Sequence, residues 1–278
     1  MTNKSDKILK TQGVEVIKSY WETKPPGIKH SSFEYGSKEF FEEIEHERYS
    51  DIFKYQYLPS VAEFDLHPDK RVLEVGMGLG TDILQFARNG SNVSGIDLTQ
   101  NSVDTVTGRF DLNDLDGDFK RASFREIPFE DNTFDIVYSF GVLHHSPFMD
   151  EGIEEVRRVL KPGGKAIIML YHKGFKYYIR KLFYNGVLKL KYFKYSSQEI
   201  VNMASEDFGD SPCTLVVNRK DIDKLFSNYK ELSTSCHRID DYLKFGNYFF
   251  SPTYCLPRKL INFIENKWGW NIIIKAIK

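Results

Sequence analysis

Gly76, Gly78 and Gly80 stand at alternate positions in "RVLEVGMGLGTD", directly after an apolar run. Glycine reaches backbone conformations that side chains resist and lets a ligand come close to the main chain. A glycine turn that opens a helix therefore cradles a nucleotide-like ligand. Asp97 follows Gly76 by 21 residues, at the end of "VSGID". A carboxylate there can accept from both ribose hydroxyls, although it can equally cap the helix that starts in "LTQNSV". The dinucleotide fingerprint places its third glycine where this chain has Thr81, so the turn by itself favours no particular nucleotide.

Base chemistry has four candidates. His144 and His145 in "GVLHHSP" follow an apolar run, and imidazole suits proton transfer near neutral pH. They could also simply shape that loop. Tyr20 and His30 flank the loop "YWETKPPGIKHSS", which could fold over a ligand or serve as a linker. The three cysteines, Cys213, Cys236 and Cys255, are far apart and form no metal-binding or disulfide pattern.

These residues need a scaffold. "RVLEV", "NVSGIDL", "FDIVYSF" and "KAIIMLY" read as near-continuous apolar strands. "TDILQFARNG" (with Thr81 as its cap), "TQNSVDTVTGRF" and "MDEGIEEVRRVL" (Ile153, Val156 and Leu160 inward) read as helices between them. Alternation of this kind gives an α/β, Rossmann-like doubly wound sheet. Further on, "NRKDIDKLFSNY" reads as a helix, and "ELSTSCHRI" and "NIIIKAI" as strands. Residues 1–67 read as a helical lid segment, with Ser37 capping "KEFFEEIEHERYSDIF" and Phe40, Phe41 and Ile44 as its inner stripe. Residues 68–278 form the main domain, with cap insertions over about 171–217 and 238–268. From Tyr171 to Gln198 there is no Asp or Glu. At 3.6-residue spacing Phe175, Tyr178, Ile179, Leu182 and Phe183 make one apolar stripe, with Lys176, Arg180 and Lys181 off it. Such a helix could roof an acceptor pocket with its lysines in water, touch an anionic membrane, or rim a pocket for an anionic acceptor.

Four segments, "VLEVGMGLGTD", "VSGIDLTQNSV", "IPFEDNTFDIVYSFGVLHHSP" and "EEVRRVLKPGGKAIIML", occur in an order that resembles the class I S-adenosylmethionine-dependent methyltransferases. "WGWNIIIKAIK" is similar to the last strand of that fold. The resemblance implies a seven-stranded mixed sheet with its last strand antiparallel, and S-adenosyl-L-methionine as cofactor. Glu74 would order the glycine turn, and Gly76, Gly78 and Gly80 would lie against the methionine part. Asp97 would hold the ribose, with Leu98 beside the adenine. Ser123, followed by Phe124, stands where the family often has an acidic residue for the adenine amino group. Phe140 would border the methionine or the reacting centre. The subgroup resembled acts on small molecules such as quinones, lipids, sugars and natural products, so the expected acceptor is a small molecule bearing an oxygen or nitrogen, and an anionic or lipid-linked one suits the basic insertion.

Bulk composition narrows the field. With 38 Lys+Arg against 39 Asp+Glu the net charge is -1, which disfavours a nucleic-acid partner and with it an RNA methyltransferase. A protein methyltransferase, a nicotinamide-dependent oxidoreductase and a protein that binds the cofactor without catalysis compete with the small-molecule reading. "MTNKSDKILKTQG" lacks a signal-peptide core, and no apolar run is of membrane-spanning length, so a cytoplasmic protein is expected.

Overall fold

A computed structural model describes residues 4–25, 27–28, 31–50, 55–205, 211–238, 243–245, 248–250 and 257–278. The apolar runs form β1 (Arg71–Val75), β2 (Asn92–Asp97), β4 (Phe134–Phe140), β5 (Leu160–Tyr171), β6 (Glu231–His237) and β9 (Asn271–Ile277). The sheet is completed by β3 (Asp118–Arg121), which carries no apolar run and escapes a hydropathy reading. The seven strands are ordered β3-β2-β1-β4-β5-β9-β6. The first five pair in parallel, and β9 runs antiparallel to both β5 and β6. This is the expected seven-stranded mixed sheet.

Both faces are covered, which is why the strands read as apolar almost throughout. Leu73, Val137, Ile168 and Ile274 pack on one face against Ile153 and Val156 of α6 (Met149–Val159). Val72, Ile136, Ile167 and Ile273 pack on the other against Ile83, Leu84 and Phe86 of α4 (Thr81–Arg88) and Val106 of α5 (Gln100–Asp111). Two sequence expectations shift here. Leu160 is buried but opens β5 and is not part of α6. Thr81 is not the cap of α4; Gly80 holds that position at φ 70°, a left-handed conformation that a β-branched residue resists. Thr81 is the first helical residue, and its hydroxyl accepts from Arg109 at 2.9 Å. Helix α5 is capped by Thr99, whose side chain accepts from Ser102 N.

The N-terminal helices α1 (Lys4–Thr23), α2 (Lys38–Ser50) and α3 (Leu58–Ala62) lie along the carboxyl ends and flank of the sheet. Ser37 Oγ accepts from Phe40 N at 3.1 Å, the expected cap, and Phe40, Phe41 and Ile44 are buried with Leu79 of the glycine turn. After β5 come a wide helix over Tyr177–Leu188, with i→i+5 hydrogen bonding, then α7 (Ser197–Ser205) and α8 (Arg219–Leu225). A short hairpin, β7 (Leu243–Phe245) and β8 (Tyr248–Phe250), and α9 (Arg258–Trp268) precede β9.

The expected inward apolar stripe of the insertion is not found. Phe175, Tyr178 and Phe183 are 52%, 54% and 49% exposed, whereas Lys176 is only 7% exposed. The wider helical repeat is the reason from Tyr177 onward, because a spacing of 3.6 no longer marks one face when the bonds close at i+5. Lys176 is drawn in by Trp270, whose ring lies 5.4 Å from its ammonium. The side chains of Ile179, Arg180 and Lys181 lie outside the described residues. Among the described residues no helix is long and apolar enough to cross a membrane.

Candidate active site

In an open parallel sheet the ligand crevice lies beyond the carboxyl ends of the strands, where the strand order reverses. Here that point is between β1 and β4, and the glycine turn sits on it. Gly76, Gly78 and Gly80 all have positive φ, at 82°, 54° and 70°. Space also requires glycine: a Cβ on Gly76 would lie 2.3 Å from Val142 Cγ2. The turn is held by Gly76 N donating to Ile96 O at 2.8 Å and Gly80 N to Met77 O at 2.9 Å.

Asp97 ends β2 beside this turn. Its Oδ1 accepts from Thr99 N (3.0 Å) and Thr99 Oγ1 (2.8 Å), and its Oδ2 from Gly78 N (3.2 Å). Burial pushes the carboxyl above the usual range, partly opposed by these bonds. Asp97 therefore does secure the Thr99 corner that starts α5, and still keeps acceptor capacity toward the cavity it lines. Glu74, on β1, is buried more deeply. Burial and the neighbouring Asp82 charge hold its carboxyl well above the usual range. Its Oε2 has no hydrogen-bond partner among the described residues.

Glu74, Gly76, Gly78 and Asp97 line one cavity of about 340 Å³, whereas Gly80 is not on its wall. Leu98, Ser123, Phe124 and Phe140 line it as well. Ser123 Oγ accepts from Arg125 N at 3.2 Å, and the Phe124 ring packs over Gly152. The cavity continues past Phe140 to His145, Tyr171, Lys176, Arg238 and Trp270, under a roof formed by Val14, Ile17 and Trp21 of α1. Tyr171 lies 4.5 Å from Trp270, and the Trp21 ring meets the His145 ring edge-on at 5.1 Å.

The base candidates separate. His145 borders the cavity, and its Nδ1 lies 3.0 Å from Cys213 O. A carbonyl only accepts, so Nδ1 donates to it, and in the neutral ring the lone pair is on Nε2. His144 is fully buried against Tyr171 at 4.0 Å and is not on the cavity wall. Burial and the adjacent His145 push its imidazole well below the usual range. Tyr20 is half-buried behind Trp21, 4.9 Å away, with Lys24 over its ring. His30 lies outside the described residues.

Sequence reasoning missed the clamp that closes this site. Asp82, at the start of α4, accepts from Arg48 Nε at 2.6 Å and Nη2 at 2.5 Å. It also accepts from Tyr49 at 2.8 Å and Tyr138 at 2.7 Å. Burial raises the carboxyl, but Arg48 and these bonds outweigh it and hold it below the usual range. One carboxylate thus ties α2 to the glycine turn and to β4. Arg48 and Tyr49 sit in an ordinary charged run, "EHERYS", and no spacing rule marks them.

Residues 73–168 match the family model described as a methyltransferase domain. The chain carries a methyltransferase domain. It is of class I, the S-adenosylmethionine-dependent type that the ordered motifs resembled. Around this domain the chain is 32% identical over 108 residues to sterol 4-C-methyltransferase strm-1 of Caenorhabditis elegans, covering 38% of this chain and 32% of that protein. It is 31% identical over 144 residues to phosphoethanolamine N-methyltransferase 2 of the same organism, covering 51% of this chain and 33% of that protein. The chain thus spans about a third of the length of these relatives. A solved S-adenosylmethionine-dependent methyltransferase from Thermotoga maritima shares the methyltransferase-domain fold, with a TM-score of 0.51 and 14% identity over 84% of this chain and 94% of that one.

The methyltransferase domain implies S-adenosylmethionine, and the wall residues fit it. The donor is cationic at its sulfonium and ammonium groups, and the orphaned Glu74 oxygen and the Asp97 carboxylate lie on the same wall. A cation beside Glu74 would offset the burial that raises its carboxyl, and hydroxyls donating to Asp97 would do the same there. Gly76 and Gly78 bring main chain without side chains to the same wall.

Proposed function

We propose that this chain transfers a methyl group from S-adenosylmethionine to an oxygen or nitrogen of a small acceptor with an apolar body and an anionic group. The observation that carries the reading is the single cavity that joins the glycine turn and Asp97 to an aromatic chamber. In this reading Gly76, Gly78, Glu74 and Asp97 hold the donor, and Leu98, Ser123, Phe124 and Phe140 flank it. S-adenosylmethionine supplies an electrophilic methyl on a sulfonium. The protein contributes proximity, alignment and exclusion of water. The acceptor's apolar body packs on Tyr171 and Trp270, and its anionic group faces Lys176 and Arg238. The similarity to a phosphoethanolamine N-methyltransferase suits an acceptor of that charge. Titration calorimetry with S-adenosylmethionine tests the donor half. Saturable one-to-one binding supports it, and no heat or shift in melting temperature at millimolar donor rejects it.

His145 is the base of this proposal. Its ring borders the chamber, and its tautomer leaves the lone pair on Nε2. His145→Gln is expected to lower kcat about 10²–10⁴-fold on a hydroxyl acceptor. Donor affinity should stay unchanged by calorimetry. A kcat loss below about tenfold would remove the base role.

A further inference from the structure

Many of the exposed apolar side chains lie in the insertion and α9. Phe175, Tyr178 and Phe183 point outward from the start and the body of the wide helix. At its end Leu190 is 63% and Phe193 88% exposed. This surface meets α9 where Gly174 packs so closely that a Cβ on it would lie 2.1 Å from the Trp268 carbonyl. Trp268, 41% exposed, adds its ring beside this segment, with the Lys267 ammonium 4.9 Å from it. Exposed apolar side chains gathered on neighbouring segments mark interaction sites more often than single ones do.

Within the insertion the charges have one sign, although α9 carries Glu265 among its basic residues. Between Tyr171 and Gln198 the chain has seven Lys and Arg and no Asp or Glu, in a protein whose net charge is -1. Lys189, Lys191 and Lys194 alternate with Leu190, Tyr192 and Phe193, so cationic and apolar groups share one edge. A protein partner with an acidic rim would match the lysines but would still need an apolar face of its own shape. An anionic bilayer surface offers both chemistries without shape matching: acyl chains for Phe193, Leu190 and Trp268, and lipid phosphates and carboxylates for the lysines. The same segment also reaches inward, because Lys176 lies on the cavity wall next to Trp270.

We infer that the insertion and α9 together form a docking surface for anionic membrane, which sets the acceptor chamber at the bilayer interface. The full chain should co-sediment with phosphatidylcholine vesicles that contain phosphatidylserine and not with phosphatidylcholine alone. Salt near 1 M, which cuts the Debye length to about 3 Å, should weaken that binding at least about tenfold. Leu190→Ser with Phe193→Ser should weaken it to a similar extent, and Lys194→Gln about fivefold, each at an unchanged melting temperature, since all three side chains are exposed. Failure to sediment at low salt overturns the inference, and so does equal binding to neutral vesicles. It is also overturned if the apolar surface proves to be a dimer face, shown by a dimer in light scattering that the serine substitutions dissolve while vesicles remain unbound. None of these readouts involves methyl transfer, so a negative result leaves the donor reading standing, and failure of donor binding leaves this one intact.

Discussion

Asp82→Asn is expected to destabilise the folded chain by about 3 kcal/mol, a fall in melting temperature on the order of 6–12 °C for a chain of this size. Asp82 is 3% exposed and receives four hydrogen bonds, two of them from one guanidinium. Asparagine keeps the shape and can still accept from one tyrosine, but it leaves the Arg48 charge without its counter-ion. The cost is then set mainly by the stranded charge rather than by the lost attraction. Adding Arg48→Met to Asp82→Asn should therefore recover part of the loss, which chemical denaturation of the two single variants and the double variant will measure. A single-variant loss under about 1 kcal/mol, the scale of a solvated surface pair, would show that the clamp contributes little to the fold. Because the clamp also joins the glycine turn to α2, the same variant should weaken donor binding even at temperatures where it is fully folded.

Asp97→Ala is expected to lower affinity for S-adenosylmethionine about 10²–10⁴-fold. Two ribose hydroxyls donating to a carboxylate contribute roughly 1.5–3 kcal/mol each, and every 1.4 kcal/mol is a factor of ten. Asp97 also accepts from Gly78 N and Thr99, so alanine loosens the turn as well as removing the ribose partner. Asp97→Asn, which keeps one acceptor oxygen, should fall between the parent and alanine in calorimetry. Unchanged affinity in Asp97→Ala would remove the ribose from this corner and return Asp97 to the plain role of tying down the start of α5.

How much of this could be read from residues depended on how local the cause was. The glycine turn was legible because positive φ at three alternate positions leaves few residue choices. Parallel strands buried on both faces announced themselves as apolar runs, and the spacing from Gly76 to Asp97 is one β-α-β unit long. β3 was not legible: "DFKR" is a short edge strand with no apolar run. The insertion was misjudged because a 3.6 periodicity was applied to a helix of wider repeat. The clamp between Arg48 and Asp82 was invisible for another reason. It joins residues 34 positions apart on two helices, and nothing in "EHERYS" sets this arginine apart from one in water. Trp270 read only as the approach to a strand; its place on the chamber wall depends on where β9 inserts.

That insertion has a consequence for assembly. β9 lies between β5 and β6, so β6 has no neighbour in the sheet until β9 arrives, and Tyr171 meets Trp270 only then. The glycine turn, Asp97 and the Arg48–Asp82 clamp need only β1, β2, β4 and the helices around them. The β5–β9 pairing joins residues 100 or more apart (Tyr171 with Asn271), against 64 for β1 with β4 (Leu73 with Val137), and the longer loop must close before its contacts reward it. As the chain folds, the half of the cavity that faces the donor can therefore take shape before the half that faces the acceptor exists.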